Sequence, residues 1–365
     1  MRFQLPVAGT MFCLTEDKIN RGLDKVKCVI EAPSDHQIAV NGTPCEWNGT
    51  AWEATLPLVG KKLVLCATDA TTNETAESHV WRFDIPQKVY RLSIDDCVWF
   101  LQDIAKNQDR YNSIFENPYL AMLLRLHNEY GTKFHVNIYY TCPEHGGFCL
   151  TELSDKFKAE WLSVNDWLTL AFHAKQNDPG YPYSNADRKT VYEDCKQVMD
   201  EIERFAGYRG PVTTLHFAET TAEGVRGLHD CGIRALLGDY SFSKKGEIQL
   251  CYFATREQFD AVRFNCFWKN PDTDMIMFPC DTVLNCMNEE KIRKELEWFD
   301  ESYPDRSFMD ILIHEQFFYE DYKCYLPDYE ARMRAGIEWC IEHGYAPALV
   351  KDIIDFDDPE LVTPQ

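Results

Sequence analysis

From residue 89 onward, strand-like runs alternate with amphipathic helices, and this alternation confines the chain to architectures built on a parallel sheet. Phe134–Tyr140 (FHVNIYY), Trp167–Phe172 (WLTLAF), Val212–Phe217 (VTTLHF), Ile233–Leu237, Ile248–Phe253, Met275–Phe278 and Met309–Ile313 (MDILI) read as strands. From Asp187 to Phe205, the residues Val191, Cys195, Val198, Ile202 and Phe205 recur at helical spacing and form one buried stripe. Asn288 is placed to cap a helix with Ile292, Leu296 and Phe299 on one face. Asp328 is placed to cap another, with Met333, Ile337 and Ile341 inward and Gly344 as its C′ glycine. A shorter helix runs from Thr221 to Leu228 and ends before Gly232. Roughly 265 residues of such alternation suit a closed βα barrel.

Residues 1–88 have a different rhythm. Lys27–Glu31, Gln37–Val40, Ala51–Leu56, Lys62–Ala67 and His79–Ile85 are short apolar or alternating runs. Turn chemistry separates them at Pro33-Ser34-Asp35, Asn41-Gly42-Thr43, Asn48-Gly49 and Thr71-Thr72-Asn73. No helical period is present, and strands this short need a second sheet to cover them. The expectation is a small all-β, immunoglobulin-like sandwich over 1–88, with Pro86-Gln87-Lys88 as the linker to a barrel over 89–365.

The formal net charge is −22. Phosphate binding needs clustered Lys and Arg, so this balance argues against nucleic acid and equally against anionic lipid. Neutral or cationic substrates remain. No apolar stretch approaches the ~18 residues of a membrane span. The opening MRFQLPVAGTMFCLTEDK makes a poor signal peptide. The 15 cysteines contain no CxxC pair, which disfavours zinc ribbons and thioredoxin-like motifs. They read as reduced, buried side chains of a cytoplasmic protein. Three Asn-x-Thr tripeptides begin at Asn41, Asn48 and Asn73, and the first two are better read as turns.

Four strands end in groups able to titrate or to bind metal. Asp95 and Asp96 follow Tyr90-Arg91-Leu92-Ser93-Ile94, and His173 follows Leu168–Phe172. His216 ends Val212-Thr213-Thr214-Leu215, and His314 ends Ile311-Leu312-Ile313. In βα barrels the C-terminal ends of the strands converge on the face that carries the active site. One Asp with one or two His can hold Zn²⁺ or a similar ion and leave a position open for water. A second carboxylate then serves as base, and a separate His protonates the leaving group.

At these residues the chain resembles the polysaccharide deacetylases, the carbohydrate esterases that share the nodulation-type deacetylase domain. Leu92-Ser93-Ile94-Asp95-Asp96 is similar to their T-F-D-D motif, and Lys133–Tyr140 resembles their second strand, A-T-F-F-V. His173 resembles the first histidine of H-S-x-x-H, and Leu312-Ile313-His314 resembles L-x-H. Glu342-His343-Gly344-Tyr345 with Ala348-Leu349-Val350 is similar to the closing G-Y-x-F-V segment. The likeness spans about 89–355, and the ordered set of short motifs carries it. It implies a distorted barrel of about seven strands, a divalent metal with zinc expected, and hydrolysis of an N-acyl C–N bond on an amino sugar or related saccharide. It further implies Asp95 as general base, Asp96 and His173 as metal ligands, and His314 as the acid that protonates the amine.

Two departures stand out. Where the family carries its second histidine ligand, this chain has Asn177, a much poorer ligand, with Asp178 next. The R-x-P motif has no clear equivalent, and His216-Phe217-Ala218-Glu219 stands roughly in its place. Asp178 or His216 can complete a metal set, and His216 is also a candidate catalytic group. Two alternatives stay open: a metal-independent amidohydrolase acting on a small molecule, and a catalytically silent carbohydrate-binding protein. Tyr181, Tyr183, Phe317, Phe318, Tyr319 and Tyr322 offer rings for stacking on sugars, or else anchor their loops. Asp281 is placed either to orient a catalytic or substrate group or to cap a turn.

Overall fold

The computed structural model describes residues 1–177, 183–238, 241–242, 248–249 and 255–361. Its centre is a parallel sheet in the order Leu168–Ala174, Phe134–Tyr139, Val89–Cys97, Phe308–His314 and Thr282–Val283. Ala346–Pro347 also pairs with the start of the Val89–Cys97 strand. These strands are buried on both faces, so residue type alternates by role instead of by exposure. Tyr90, Leu92, Ile94, Phe134, Val136, Ile138, Met309, Ile311 and Ile313 belong to one apolar core together with the helices. Their neighbours Arg91, Ser93, Asp95, His135, Asn137 and Asp310 are equally buried but polar. Arg91 and Asp310 pair at 2.7 Å with both side chains fully buried.

The helices form where the apolar period and the caps coincide. Asp187, Thr221 and Asn288 accept from the backbone amides of Thr190, Gly224 and Lys291, starting Arg188–Phe205, Ala222–Asp230 and Glu289–Ser302. Asp328 does not act as a side-chain cap and instead pairs with Arg332 at 3.0 Å. The helix Tyr329–Glu342 buries Met333 and Ile337, but the expected Ile341 is 41% exposed. Its buried face instead closes with Trp339 and Cys340.

A nine-stranded sheet holds Val212–Thr214, Ala235–Gly238 and Ile276–Pro279 in parallel. It continues through Cys266–Lys269 into Thr10–Thr15, Thr75–Ile85, Lys62–Asp69, Ile38–Val40 and Thr43–Pro44. The nine-stranded sheet therefore draws strands from both sides of the expected boundary at residue 88, while the chain itself passes from this sheet to the parallel one across residues 86–88. Thr10–Thr15, which ends where Thr15 caps the short helix Glu16–Asn20, carries the hydrogen bonding between Cys266–Lys269 and Thr75–Ile85. Met11, Cys13, Trp81 and Phe83 share one apolar cluster with Val212, Leu237, Phe278 and Phe308. A four-stranded antiparallel sheet, Arg2–Leu5, Lys25–Glu31, Trp52–Pro57 and Glu46–Trp47, joins the larger sheet through Val26, Cys28, Ile30, Val40, Leu65 and Val80. Two of the turns expected from Asn-Gly hold, with Asn41 at φ 47° and Asn48 accepting from the amides of Thr50 and Ala51.

The two main sheets meet on two sides. Ile276–Pro279 lies in the larger sheet and Thr282–Val283 in the parallel one. On the far side, Thr213 Oγ1 donates to the carbonyl of Phe172. Of the run Ile248–Phe253, only Ile248–Gln249 is described, and it pairs with Ser241–Phe242 as a short hairpin outside both main sheets. No helix among the described residues is long and apolar enough to cross a membrane.

Gly9 sits at the junction of the two regions, at φ +94°, where a Cβ would lie 2.0 Å from the carbonyl oxygen of Lys269. Gly9→Ala should therefore cost about 1–3 kcal/mol or more, from backbone strain and collision together. Urea unfolding followed by circular dichroism and tryptophan fluorescence should show a lower midpoint with the two probes still coincident. Separate transitions for the two signals would contradict the shared sheet.

Candidate active site

The site is built at the C-terminal ends of the parallel strands. Asp95 lies on the inner face, and its Oδ1 accepts from Asn137 Nδ2 at 2.7 Å and from Ser93 Oγ at 3.1 Å. Strand alternation alone would send the next side chain to the opposite face. Asp96 escapes this because its backbone is left-handed, at φ 58°, and the pairing register shifts between Ile94 and Cys97. Asp is among the few residues that enter this region, at a cost of about 1–2 kcal/mol.

The turn is held from outside by Glu315. Its carboxylate accepts from the amides of Val98, Trp99 and Phe100 at 2.6, 3.1 and 2.7 Å, opening the helix Trp99–Asn107. The hydroxyl of Tyr319 donates to it as well, at 2.6 Å. Burial pushes the Glu315 carboxyl up to about 7 against these donors. Because Glu315 follows His314 directly, one carboxylate ties the segment after Asp96 to the segment after His314.

Asp96, His173 and His216 converge. His173 Nε2 lies 3.0 Å from Asp96 Oδ1, and His216 Nδ1 lies 3.2 Å from the same oxygen. The two imidazole nitrogens are 3.1 Å apart. The three groups are the His/Cys/Asp/Glu cluster with metal-ligand spacing among the described residues. Tyr139 donates its hydroxyl to Asp96 Oδ1 and lies 3.0 Å from His216 Nδ1.

The donor chemistry of this cluster fits a cation. His173 Nδ1 lies 2.6 Å from the carbonyl oxygen of Thr214, which can only accept, so Nδ1 carries the hydrogen. The Nε2 of a neutral His173 is then a bare lone pair aimed at a carboxylate oxygen. Only a proton or a metal ion makes that contact favourable. Burial opposes a charge on His173, yet its hydrogen bond to Asp96 and the charges of Asp95 and Asp96 raise its pKa. Burial likewise opposes ionising Asp96, but the bonds with His173 and His216 hold its carboxyl well below the usual range. His216 is shifted down, by burial first, with the charge of His173 adding to it.

His314, half-buried, follows Ile313 at the end of its strand and sits in register with Asp95. Its Nδ1 lies 2.9 Å from Asn285 Oδ1. The strand-end residues Asp95, Asp96, His173 and His216 are thus gathered as expected, with His314 beside Asp95. His216 stands in the cluster where sequence reading put Asn177. His216, already a candidate to complete the set, offers imidazole from the neighbouring strand end, whereas Asn177 is a half-buried amide three residues past the end of Leu168–Ala174.

Other expected contacts fall elsewhere. Tyr181 and Asp178 lie outside the described residues. Tyr183 is 1% exposed, and its hydroxyl accepts from the Lys175 amide and donates to Asp194, so it serves the core and offers no face to a ligand. Asp281 makes a bidentate pair with Arg306 at 2.8 Å and accepts from the Asp310 amide, so it is a buried structural ion and neither a substrate contact nor a turn cap. Tyr319 is spent on Glu315. Phe317 is half-buried between His314 and Tyr322, with centroids 6.1 and 5.2 Å away. Tyr322 meets Trp99 at 5.8 Å, and Trp99 stacks on His145 at 3.7 Å.

Sequence reading missed Asn137, Tyr139, Asn285, Trp99 and Glu315. For Asn137 and Tyr139 the signal was present, since polar residues at every second position of an otherwise apolar, buried strand mark its inner face. For Asn285 and Glu315 there was none, because their partners lie 29 and more than 200 residues away.

The sequence matches no protein-family profile and no curated protein. Solved structures similar to the chain include a family 4 acetyl xylan esterase from Clostridium thermocellum in complex with a cobalt ion. That likeness has 12% identity over 74% of this chain and 91% of the other, with a TM-score of 0.41. A mutant of a CE4 family pseudoenzyme is similar at 8% identity, over 87% of this chain and 92% of the other, with a TM-score of 0.42. The family 4 carbohydrate esterase from Streptomyces lividans in complex with acetate is similar at 8% identity, over 72% and 93%, with a TM-score of 0.40.

Purified without chelators and exposed to Zn²⁺ or Co²⁺, the protein should take up about one equivalent of metal. Asp96→Ala, His173→Ala and His216→Ala should each lose it, and Asn177→Ala should keep it, by elemental analysis and titration calorimetry. Because His173 must be deprotonated to bind an ion and its pKa is raised, affinity should begin to fall at a higher pH than for an ordinary histidine ligand. Uptake that survives His216→Ala but not Asn177→Ala would reverse the assignment.

Proposed function

We propose that the protein is a metal-assisted hydrolase of the polysaccharide deacetylase type that cleaves an N-acyl C–N bond on an amino sugar or related saccharide. The observation that carries this reading is the convergence of Asp96, His173 and His216, with Asp95 and His314 on the adjoining strand ends. The motif order read from the sequence supports it independently. In this reading the strands beginning at Val89, Phe134, Leu168, Val212, Ala235, Ile276 and Phe308 close as a distorted barrel of seven. Their circuit of pairings, with the side-chain link between Thr213 and Phe172, supports that closure.

Asp96, His173 and His216 would hold the ion. A divalent ion in such a set supplies a water of lowered pKa and polarises the acyl carbonyl. Asp95, its Oδ1 fixed by Asn137 and Ser93, accepts the proton that the attacking water loses. The water oxygen bonds to the acyl carbon first, the C–N bond then breaks, and the departing nitrogen keeps the electron pair. His314 gives that nitrogen a proton from Nε2, so a carboxylic acid and an amine leave. Tyr139 donates to Asp96 and helps to fix its orientation. The rings of Trp99, Phe317 and Tyr322 form a run beside His314 suited to the apolar face of a sugar. A net charge of −22 favours neutral chains of amino sugars and tolerates the cationic product.

The imidazole of His216 in the cluster favours this reading over a metal-independent amidohydrolase, whose main support was Asn177. The test is acetate release from N-acetylated chito-oligosaccharides by the zinc- or cobalt-loaded protein, with O-acetylated xylo-oligosaccharides as the ester comparison. Activity should vanish with a chelator and return with the ion. Asp95→Asn should retain the metal and lower kcat by about 10²–10⁴. Hydrolysis indifferent to chelation, or no release from any N-acylated sugar, would overturn the proposal.

A further inference from the structure

We infer that Asn285 is a positioning residue that locks His314 in its Nδ1–H form and leaves Nε2 as the atom that carries the proton in turnover. The inference rests on the hydrolytic reading for its consequence, but its geometric part stands without it. The backbone amide of His314 can only donate, and it lies 3.2 Å from Asn285 Oδ1, which fixes the oxygen end of the amide. The same oxygen is 2.9 Å from His314 Nδ1. An amide oxygen can only accept, so Nδ1 holds the hydrogen and a neutral ring has a bare Nε2.

Asn285 is itself constrained. It lies in the short turn Leu284–Cys286, is 9% exposed, and follows the fully buried Leu284. Its carbonyl accepts from Arg332 Nη1 at 3.0 Å, and Arg332 is held in turn by Asp328. The helix Tyr329–Glu342 thereby fixes the amide that fixes His314.

The amide differs from a carboxylate in one consequence. Both accept from Nδ1–H and set the tautomer, but a carboxylate would add a negative charge beside the ring and favour the imidazolium. Asn285 orients the ring without adding a charge of its own, and the carboxylates that face His314 are those of Asp95, in register with it, and Asp96. Asp281, Asp310 and Arg306 belong to buried pairs of their own, and Glu315 is engaged by four donors.

The test uses the zinc-loaded protein of this sequence labelled with ¹⁵N in its histidines, the His314 signals being assigned by their loss in His314→Gln. Wild type should show Nδ1 protonated and Nε2 bare at His314. Asn285→Ala should mix the two tautomers and lower kcat about tenfold or more with KM little changed. Asn285→Asp should keep the tautomer but move the pH–rate limb that reports His314 upward by about one unit. A wild-type His314 protonated at Nε2 when neutral would overturn the inference, as would an Asn285→Ala variant with unchanged tautomer and kcat. The predicted tautomers without hydrolysis of any acylated sugar would instead uphold the positioning role and refute the proposed activity.

Discussion

The left-handed turn at Asp96 is the feature on which the rest of the site depends. With ordinary extended backbone, Asp95 and Asp96 would face opposite sides of the sheet, and only one of them would reach the pocket. The turn brings both carboxylates to one rim, one held by Asn137 and Ser93, the other by Tyr139 and two imidazoles. Such a conformation persists only where its surroundings over-determine it. Here Glu315 does so, by gathering the three amides that follow the turn.

The interior beneath the site is unusually polar for a set of central strands. Arg91 with Asp310 and Arg306 with Asp281 are buried ion pairs. Such pairs contribute little net stability relative to apolar packing, yet removing one member costs about 3–5 kcal/mol. They therefore hold the strands to one register more firmly than they stabilise the fold. The apolar packing comes instead from the outer positions against the helices and from the cluster shared with the N-terminal strands. That second cluster makes residues 1–88 part of the structural support of the site, through Thr10–Thr15 and its neighbours.

Much of the site was legible in the primary structure because its members are local to strand ends. Asp95, Asp96, His173, His216 and His314 each close an apolar run, and that position alone marks them. The place of His216 beside Asp96 and His173 was harder to read, since it requires knowing which strand lies beside Leu168–Ala174. Tyr183 and Tyr319 showed the opposite failure. Their aromatic character suggested a binding face, but the hydrogen bonds their hydroxyls donate to Asp194 and Glu315 decide that they are anchors.

Periodicity and end-of-run chemistry by themselves determined that strands and helices alternate after residue 89, where most of them lie, and which acidic and imidazole groups stand at strand ends. These are properties of neighbours in the chain, set by side-chain volume and backbone preference over a few residues. Tertiary structure alone decided that the sheet runs on into the first 88 residues, that Asp96 turns inward, and that His216 completes a three-group cluster. The same holds for Glu315 and Asn285, which clamp the pocket from afar. Each of these depends on hydrogen bonds between residues far apart in sequence, and no local pattern encodes which distant partner a donor will meet.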